Sequence, residues 1–135
     1  MSKPSYTIDG SRFCTLEEFF EEVGDVLIPG AEWGKNLDAF SDILRGGFGT
    51  PDGGFIIKWR NSELSRERLG YPETVRRLER RLQQCHSSNL ERVSRELANA
   101  KLGIGPTVFD LLVEIVQRHC VGGDEQRDGV ELVLE

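Results

Sequence analysis

Three short stretches of strand character, separated by longer helical stretches, constrain the fold of this 135-residue chain most strongly. Residues 5–10, 55–59 and 129–134 contain alternating or continuous apolar side chains and are bounded by glycine or proline. Antiparallel neighbours can be joined by a tight turn, whereas parallel strands need a crossover of a dozen or more residues. We therefore expect an α/β fold: a small three-stranded parallel sheet with helices packed on it, in one domain spanning residues 1–135.

Capping residues and apolar periodicity predict where the helices begin. Thr15 and Glu18 have the spacing of a capping box ahead of an apolar helical stripe. Ser88 and Glu91 repeat that spacing and predict a second helix start of the same kind. The stretch 107–120 is the most apolar helical segment, and we expect it to pack flat on the sheet.

The net charge of −6 is unevenly distributed along the chain. Residues 1–59 carry 10 acidic and 5 basic side chains, and residues 102–135 carry 7 and 2. Residues 60–101 are the opposite, with 6 acidic and 10 basic side chains. An acidic surface repels nucleic acid and attracts basic proteins, so the expected partner is a basic protein and not a nucleic acid bound directly.

The segment at about residues 70–103 differs in character from the rest of the chain. It is highly charged, and its apolar side chains form only narrow helical stripes that are interrupted near residues 86–89. This pattern predicts an inserted helical hairpin, packed on the edge of the domain. Its positive charge could in principle contact phosphate, but we favour the interpretation that it forms a solvated helical face.

Several features predict a protein that stays in the cytoplasm and has no contact with a membrane. No apolar run approaches the roughly 18 residues that a membrane-spanning helix needs. The first six residues lack the apolar stretch of a secretory signal. Cys14, Cys85 and Cys120 are odd in number and widely spaced, which indicates free thiols and not a disulfide framework.

The sequence offers little for catalysis. The glycine-rich loop at residues 46–54 lies between a helix and a following strand, which is the wrong order for a phosphate-binding loop. His86 falls in a polar helix break and His119 near a helix end, and we interpret both as exposed polar side chains. We therefore expect no catalytic residue, no cofactor and no metal site, and a protein that is not an enzyme.

Asp38 and Asp42 are the most informative acidic pair. At a spacing of four they lie on one face of the helix that Asn36 is expected to cap, about 6 Å apart at Cβ. Like charges at this spacing destabilise a helix by roughly 0.2–0.5 kcal/mol. The pair is either a solvated polar face or a site whose charges are neutralised by the cations of a partner.

Residues 28–46, IPGAEWGKNLDAFSDILRG, resemble the core motif of the barstar family. The family pattern is a proline and an aromatic residue followed by G-x-N-L-D-A-x-x-D-x-L. With weaker flanking matches, the resemblance covers residues 5–69 and 104–135. It implies three parallel strands with packed helices, and an intracellular inhibitor or antitoxin that blocks the active site of a ribonuclease.

The resemblance also implies roles for individual residues. Asp38 and Asp42 would stand in for substrate phosphates, with Asp42 entering the catalytic pocket of the nuclease. Trp33 matches an aromatic residue of the binding loop, Gly46 matches the glycine that closes the helix, and Glu114 matches an acidic residue of the last helix. The residues expected to bind the partner are Glu32, Trp33, Asn36, Asp38, Ser41, Asp42, Gly46 and Glu114.

The chain departs from the family pattern at aromatic positions. The family has a tryptophan at the position of Ser41 and another at the position of Gly47 or Phe48. It has a tyrosine at the position of Glu32. The chain thus has the acidic residues of the family motif but lacks the aromatic residues that accompany them. The expected function is stoichiometric inhibition of a basic ribonuclease by a protein that is monomeric when free. The alternative is a binding module of the same fold whose partner is not a ribonuclease.

Overall fold

The computed structural model describes residues 3–46, 49–51 and 53–135, so the expected departure at Gly47 or Phe48 lies outside the described residues. The helices and strands are β1 (Ser5–Asp9), α1 (Leu16–Leu27), α2 (Leu37–Leu44), β2 (Ile56–Arg60), α3 (Ser62–Arg68), α4 (Tyr71–Gln84), α5 (Leu90–Lys101), α6 (Val108–Arg118) and β3 (Glu131–Leu134). Short 3-10 turns occupy Gly10–Arg12, Ser87–Asn89 and Gln126–Asp128.

The sheet is parallel, with β2 between β1 and β3. Ile8 of β1 is paired with Trp59 of β2, and Ile57 of β2 with Leu132 of β3. Every connection between neighbouring strands therefore contains helices. The predicted α/β fold, a three-stranded parallel sheet with helices packed on it, is confirmed.

The main core is built around the indole of Trp59, which is fully buried. Phe19 of α1 is stacked on this ring at 5.4 Å between centroids, and Phe109 of α6 meets it edge-on at 5.1 Å. The indole N–H donates to Ser65 Oγ at 2.9 Å, which satisfies the one polar atom of the ring. The central strand is thereby fixed to helices from both halves of the chain.

The helix starts agree with the expected caps at one site and differ at another. Thr15 accepts a hydrogen bond from the Glu18 N–H, while the Glu18 carboxylate reaches the Cys14 N–H at 2.8 Å. The expected capping box of Ser88 and Glu91 is wrong. Its serine hydroxyl lies 2.9 Å from the imidazole of His86, because a 3-10 turn precedes α5.

Helices α4 and α5 share an apolar cluster that is separate from the main core. The cluster consists of Leu78, Val93, Leu97 and Ala100, flanked by partly buried Tyr71, Val75, Leu82 and Cys85. These side chains are the narrow stripes seen in the sequence. That the segment is an insertion in the domain stays a prediction.

The first turn of α4 supplies hydrogen bonds to two helices of the main body. The carboxylate of Glu73, which is only 6% exposed, accepts from the Leu16 N–H at the start of α1, at 2.7 Å. The Thr74 hydroxyl accepts from the Val108 N–H at the start of α6, at 2.9 Å. Helix N-termini have N–H groups without intrahelical partners, so α4 satisfies donors that would otherwise be buried and unpaired.

In the described part of the chain, every helix is too short or too polar to span a bilayer.

The turn after β1 is held by the carboxylate of Asp9. Its Oδ1 atom accepts from the Asn61 side-chain amide at 2.8 Å and from the Ser11 N–H at 2.9 Å. These hydrogen bonds, the one from Asn61 first, lower the pKa of Asp9 to about 2. Asn61 itself has a left-handed backbone conformation, with φ +56°.

We predict that Glu73→Leu lowers the free energy of unfolding by about 2–3 kcal/mol, because it leaves the buried Leu16 N–H without an acceptor and removes one of the two carboxylates that bind Arg76. Urea unfolding measures this change. Glu79→Leu on the exposed face of the same helix is the control and should stay within about 0.5 kcal/mol of the parent. Equal effects would mean that α4 does not stabilise α1.

We also predict that Asn61→Gly removes part of the acid sensitivity of folding. A carboxyl group with a lowered folded-state pKa stabilises the protein above its unfolded value of 3.8, and this contribution is lost as the pH falls toward about 2. Glycine tolerates the left-handed backbone, so the substitution removes the amide without strain. The difference in the free energy of unfolding between parent and variant should therefore decrease as the pH is lowered from 5 to 2. A difference that is constant with pH would contradict the role of this hydrogen bond.

Candidate functional site

The face of α2 presents two carboxylates to solvent. Asp38 is exposed, and the side chain of Asp42 is 62% exposed. Both line a hollow of about 420 Å³ between α2 and α6. Its other lining residues are Leu37, Ser41, Arg45, Leu111, Ile115 and Arg118.

The start of α2 is fixed by the loop that precedes it. The Asn36 carboxamide accepts from the Ala39 N–H at 2.8 Å, which confirms the predicted cap and holds Asp38 in the first turn. Glu32 is exposed to solvent, whereas the Trp33 indole is half-buried against Phe20, edge to face at 5.7 Å. Part of the tryptophan surface expected to face a partner therefore packs on α1.

Asp42 has a cationic neighbour within its own chain. Arg45 donates to its Oδ1 atom at 2.8 Å and also lies 3.4 Å from the carboxylate of Glu125. The exposure of these side chains keeps both ion pairs weak, in the range of roughly 0–1 kcal/mol. A basic partner can therefore displace Arg45 from Asp42 at little cost.

Ser41 is anchored beneath the acidic face by a buried histidine. Its hydroxyl lies 3.1 Å from His119 Nε2, and His119 Nδ1 lies 2.6 Å from Asp128 Oδ2. His119 has no solvent-exposed surface, so its interpretation from the sequence as an exposed residue is wrong. Because a carboxylate only accepts, Nδ1 carries the proton in its bond to Asp128, which leaves Nε2 facing the Ser41 hydroxyl.

The order of these groups is that of a nucleophile, a base and an orienting carboxylate. The surroundings of Ser41 do not favour acyl transfer. Ser41 is the fifth residue of α2, so its own N–H and the next belong to the helical ladder and cannot form an oxyanion hole. Asp38 and Asp42 flank the hydroxyl in sequence, and their charges oppose a developing oxyanion. We interpret the Ser41–His119–Asp128 chain as a positioning device for α2.

The same histidine belongs to the one group of potential metal ligands found among the described residues. Ligand atoms of His119, Glu125 and Asp128 lie within 4.8 Å of one another. Each of them already has a partner within the protein, since Asp128 holds the imidazole and Arg45 holds Glu125. A metal would have to replace those contacts.

The remaining expected residues lie around this face at different distances from its centre. Gly46 follows α2 with φ +86°, a backbone conformation that strains other residues, which agrees with its expected place at the helix end. Glu114 lies on α6 and is 3.7 Å from Arg118, which lines the hollow beside the two aspartates. The structure thus places Asp38, Ser41 and Asp42 together on α2, and Glu114 on the neighbouring helix.

No pattern in the sequence predicts that His119, Asp128 and Glu125 contribute to this region. His119 and Asp128 are only nine residues apart, a separation without a helical or strand periodicity to connect them. Ser41 and His119 are 78 residues apart. The one signal in the sequence is that His119 lies within residues 107–120, the most apolar helical segment, where a buried side chain is expected.

We predict that His119→Phe lowers the free energy of unfolding by about 1–3 kcal/mol, because Ser41 and Asp128 lose their shared partner. Urea unfolding measures the loss. Gln83→Phe, at an exposed residue of α4, is the control and should change stability by less than about 0.5 kcal/mol. If both variants unfold alike, the buried imidazole does not hold α2 in place.

Comparison with known proteins agrees with the geometry of this site. The sequence matches a protein family described as barstar (barnase inhibitor) over residues 4–100. This match covers more than half of the chain and includes α1, α2, the central strand and most of the α4–α5 pair. No curated protein sequence matches the chain. With three parallel strands and a capped helix that presents Asp38 and Asp42, the chain belongs to the barstar family.

Proposed function

We propose that this protein is a stoichiometric inhibitor of a basic ribonuclease and blocks the active site of the enzyme with the acidic face of α2. The observation that carries this proposal is the exposure of two carboxylates one helical turn apart on a short, firmly anchored helix. The family description as barnase inhibitors supports it. No step of the proposed function requires a cofactor or catalysis.

The mechanism is electrostatic and depends on anchoring. A ribonuclease active site must attract phosphates, so it presents cations at the spacing of a nucleic-acid backbone. Asp38 and Asp42 offer two negative charges about 6 Å apart at Cβ, which can occupy such positions. Because Ser41 between them is tied to His119, little conformational freedom of α2 is lost on binding.

The arginine of the same face has a definite part in this proposal. In the free protein Arg45 is bonded to Asp42, and in a complex the cations of the enzyme take its place. Arg45 can then remain with Glu125, which it already approaches to 3.4 Å. The exchange leaves neither charge unpaired, which is the condition for a buried ion pair to contribute to affinity.

A second candidate is a binding module whose partner is not a ribonuclease. The observation that favours it is the orientation of Ser41, whose hydroxyl is turned toward buried His119 at a position where the family has a tryptophan. A face that lacks this aromatic anchor loses a typical hot-spot contact. Capture of partners from a lysate of the source cells, with the parent protein and with Asp42→Arg, distinguishes the two candidate functions. If the protein is a ribonuclease inhibitor, the parent captures a ribonuclease and the variant does not.

We predict that Asp42→Ala weakens the complex with a basic ribonuclease by roughly 2–5 kcal/mol, mainly through faster dissociation, because it leaves cations of the enzyme buried and unpaired. The fold should change by less than about 0.5 kcal/mol. Loss of the exposed bond to Arg45 is offset by relief of repulsion with Asp38. Titration of barnase activity and thermal unfolding of the free protein measure the two effects.

Asp25 provides the matched control for this experiment. It is an exposed aspartate on α1, outside the motif, and Asp25→Ala should alter neither binding nor folding appreciably. Equal small effects of the two substitutions on binding would exclude α2 as the inhibitory face. If the parent protein fails to inhibit barnase but captures another basic protein through Asp42, the second candidate function is correct.

A further inference from the structure

A second hollow, of about 400 Å³, lies where the α4–α5 pair meets the main body of the protein. We propose that it binds a small monoanionic amphiphile, a carboxylate with an apolar tail, whose head group is held by Arg77 and Arg81. The hollow lies among α4, α5, the start of α6 and the loop that precedes α6. Its volume is within the range of about 300–1,000 Å³ that is typical of small-molecule sites.

The walls of this hollow suit an apolar tail. They are lined by Leu78, Ala100, Ile104, Val108 and Leu111, from three different parts of the chain. The hydroxyl of Thr74, which also lines the hollow, is engaged by the Gly70 carbonyl and the Val108 N–H. The interior therefore presents mostly apolar surface, with few free polar groups.

The loop on one side of the hollow is held in place by hydrogen bonding. The hydroxyl of Tyr71, at the start of α4, donates to the Gly105 carbonyl at 2.7 Å. Gly103 and Gly105 both have a left-handed backbone conformation, which lets the chain turn sharply there. The hollow is thus preformed, and a ligand need not order the loop.

Arg77 and Arg81 combine partial burial with the lack of a partner, whereas unpaired arginines elsewhere in the described chain, such as Arg92, are exposed. Among the described residues, no hydrogen bond or ion pair within 4 Å reaches the guanidinium of Arg77 or Arg81. The neighbouring arginines of α4 differ, since Arg76 is bonded to Glu73 and Arg80 to Glu17. Unpaired cations at a partly desolvated site are energetically unfavourable, and an anion that bonds to them relieves that cost.

The charge of the hollow selects the class of anion. Among the described residues that line it, Glu96 is the acidic one, and it attracts Arg77 without approaching it within ion-pair distance. Burial lowers the pKa of Arg77, and the proximity of Arg81 acts in the same direction, which is the signature of a cation short of counter-charge. Two guanidinium groups and one carboxylate leave a single positive charge, so a monoanionic carboxylate fits better than a doubly charged phosphate.

The proposal concerns residues other than Asp42 and Ser41, neither of which lines this hollow. Arg77 and Arg81 also border the hollow that Asp38 lines, so the two proposals are separated through Asp42 and not through Asp38. A protein that fails to inhibit any ribonuclease could still bind the amphiphile, and the reverse also holds. The two proposals are therefore tested by separate experiments.

The test is calorimetric titration of the full chain with decanoate below its micelle concentration, with decyltrimethylammonium and decanol as ligands of the same tail. Decanoate should bind with a stoichiometry of one, and the cation should not bind. The double variant Arg77→Gln/Arg81→Gln should weaken decanoate binding about tenfold or more, the loss expected for charge-assisted hydrogen bonds. Arg92→Gln, at an exposed arginine of α5 outside the hollow, is the matched control and should bind like the parent.

A second variant tests the same site in case the double variant does not fold. Ile104 is 54% exposed, so Ile104→Glu should fold normally while adding a negative charge at the edge of the hollow, and it should also weaken decanoate binding. Absence of decanoate binding to the parent, equal binding of the cationic analogue, or unchanged affinity in both variants would each overturn the proposal.

Discussion

The buried imidazole of His119 is the contact on which the arrangement of the acidic face depends. Helix α2 has only eight residues, and helices this short are marginal without tertiary contacts. One ring nitrogen of His119 bonds Ser41 of α2, and the other bonds Asp128 of the turn before β3. The orientation of the two carboxylates on α2 is thereby linked to the C-terminal part of the chain, which lies outside the family match at residues 4–100.

A similar long-range arrangement holds the α4–α5 pair to the main body. The polar side chains of Glu73 and Thr74 satisfy N–H groups at the starts of α1 and α6, so one turn of α4 adds a hydrogen-bond acceptor to the N-termini of two other helices. The apolar cluster between α4 and α5 remains distinct from the core around Trp59. Helices joined by polar contacts at their ends, with separate apolar clusters, leave space between them. The hollow with the two unpaired arginines occupies that space.

The sequence predicted the features that depend on local spacing. Strand positions and the cap at Asn36 follow from patterns within about ten residues, and the parallel sheet follows from the long helical connections between strands; the structure agrees with all three. The burial of His119 depends on residues 9 and 78 positions away, so no local pattern contains it. At Ser88 the local pattern was misleading because His86, two residues earlier, competes for the hydroxyl. The motif around Asp38 and Asp42 was recognisable, but its anchoring was not.

The charges around α2 determine how a partner can approach it. Asp38 also lines a third hollow, of about 590 Å³, together with Lys35, Arg80 and Arg81. These cations lie on the α4 side of the acidic face, whereas Asp42 lies one turn further along α2. Lys35 and Arg80 are paired with Glu21 and Glu17, but Arg77 and Arg81, which line the same hollow, have no ion pair within 4 Å among the described residues. Uncompensated positive charge therefore lies beside Asp38, and charges within a Debye length of about 10 Å act together on an approaching surface. A uniformly basic surface is attracted by Asp42 and repelled on the α4 side. For the proposed inhibition, the local pattern of charge beside α2, and not the net charge of −6, therefore sets how a partner is oriented.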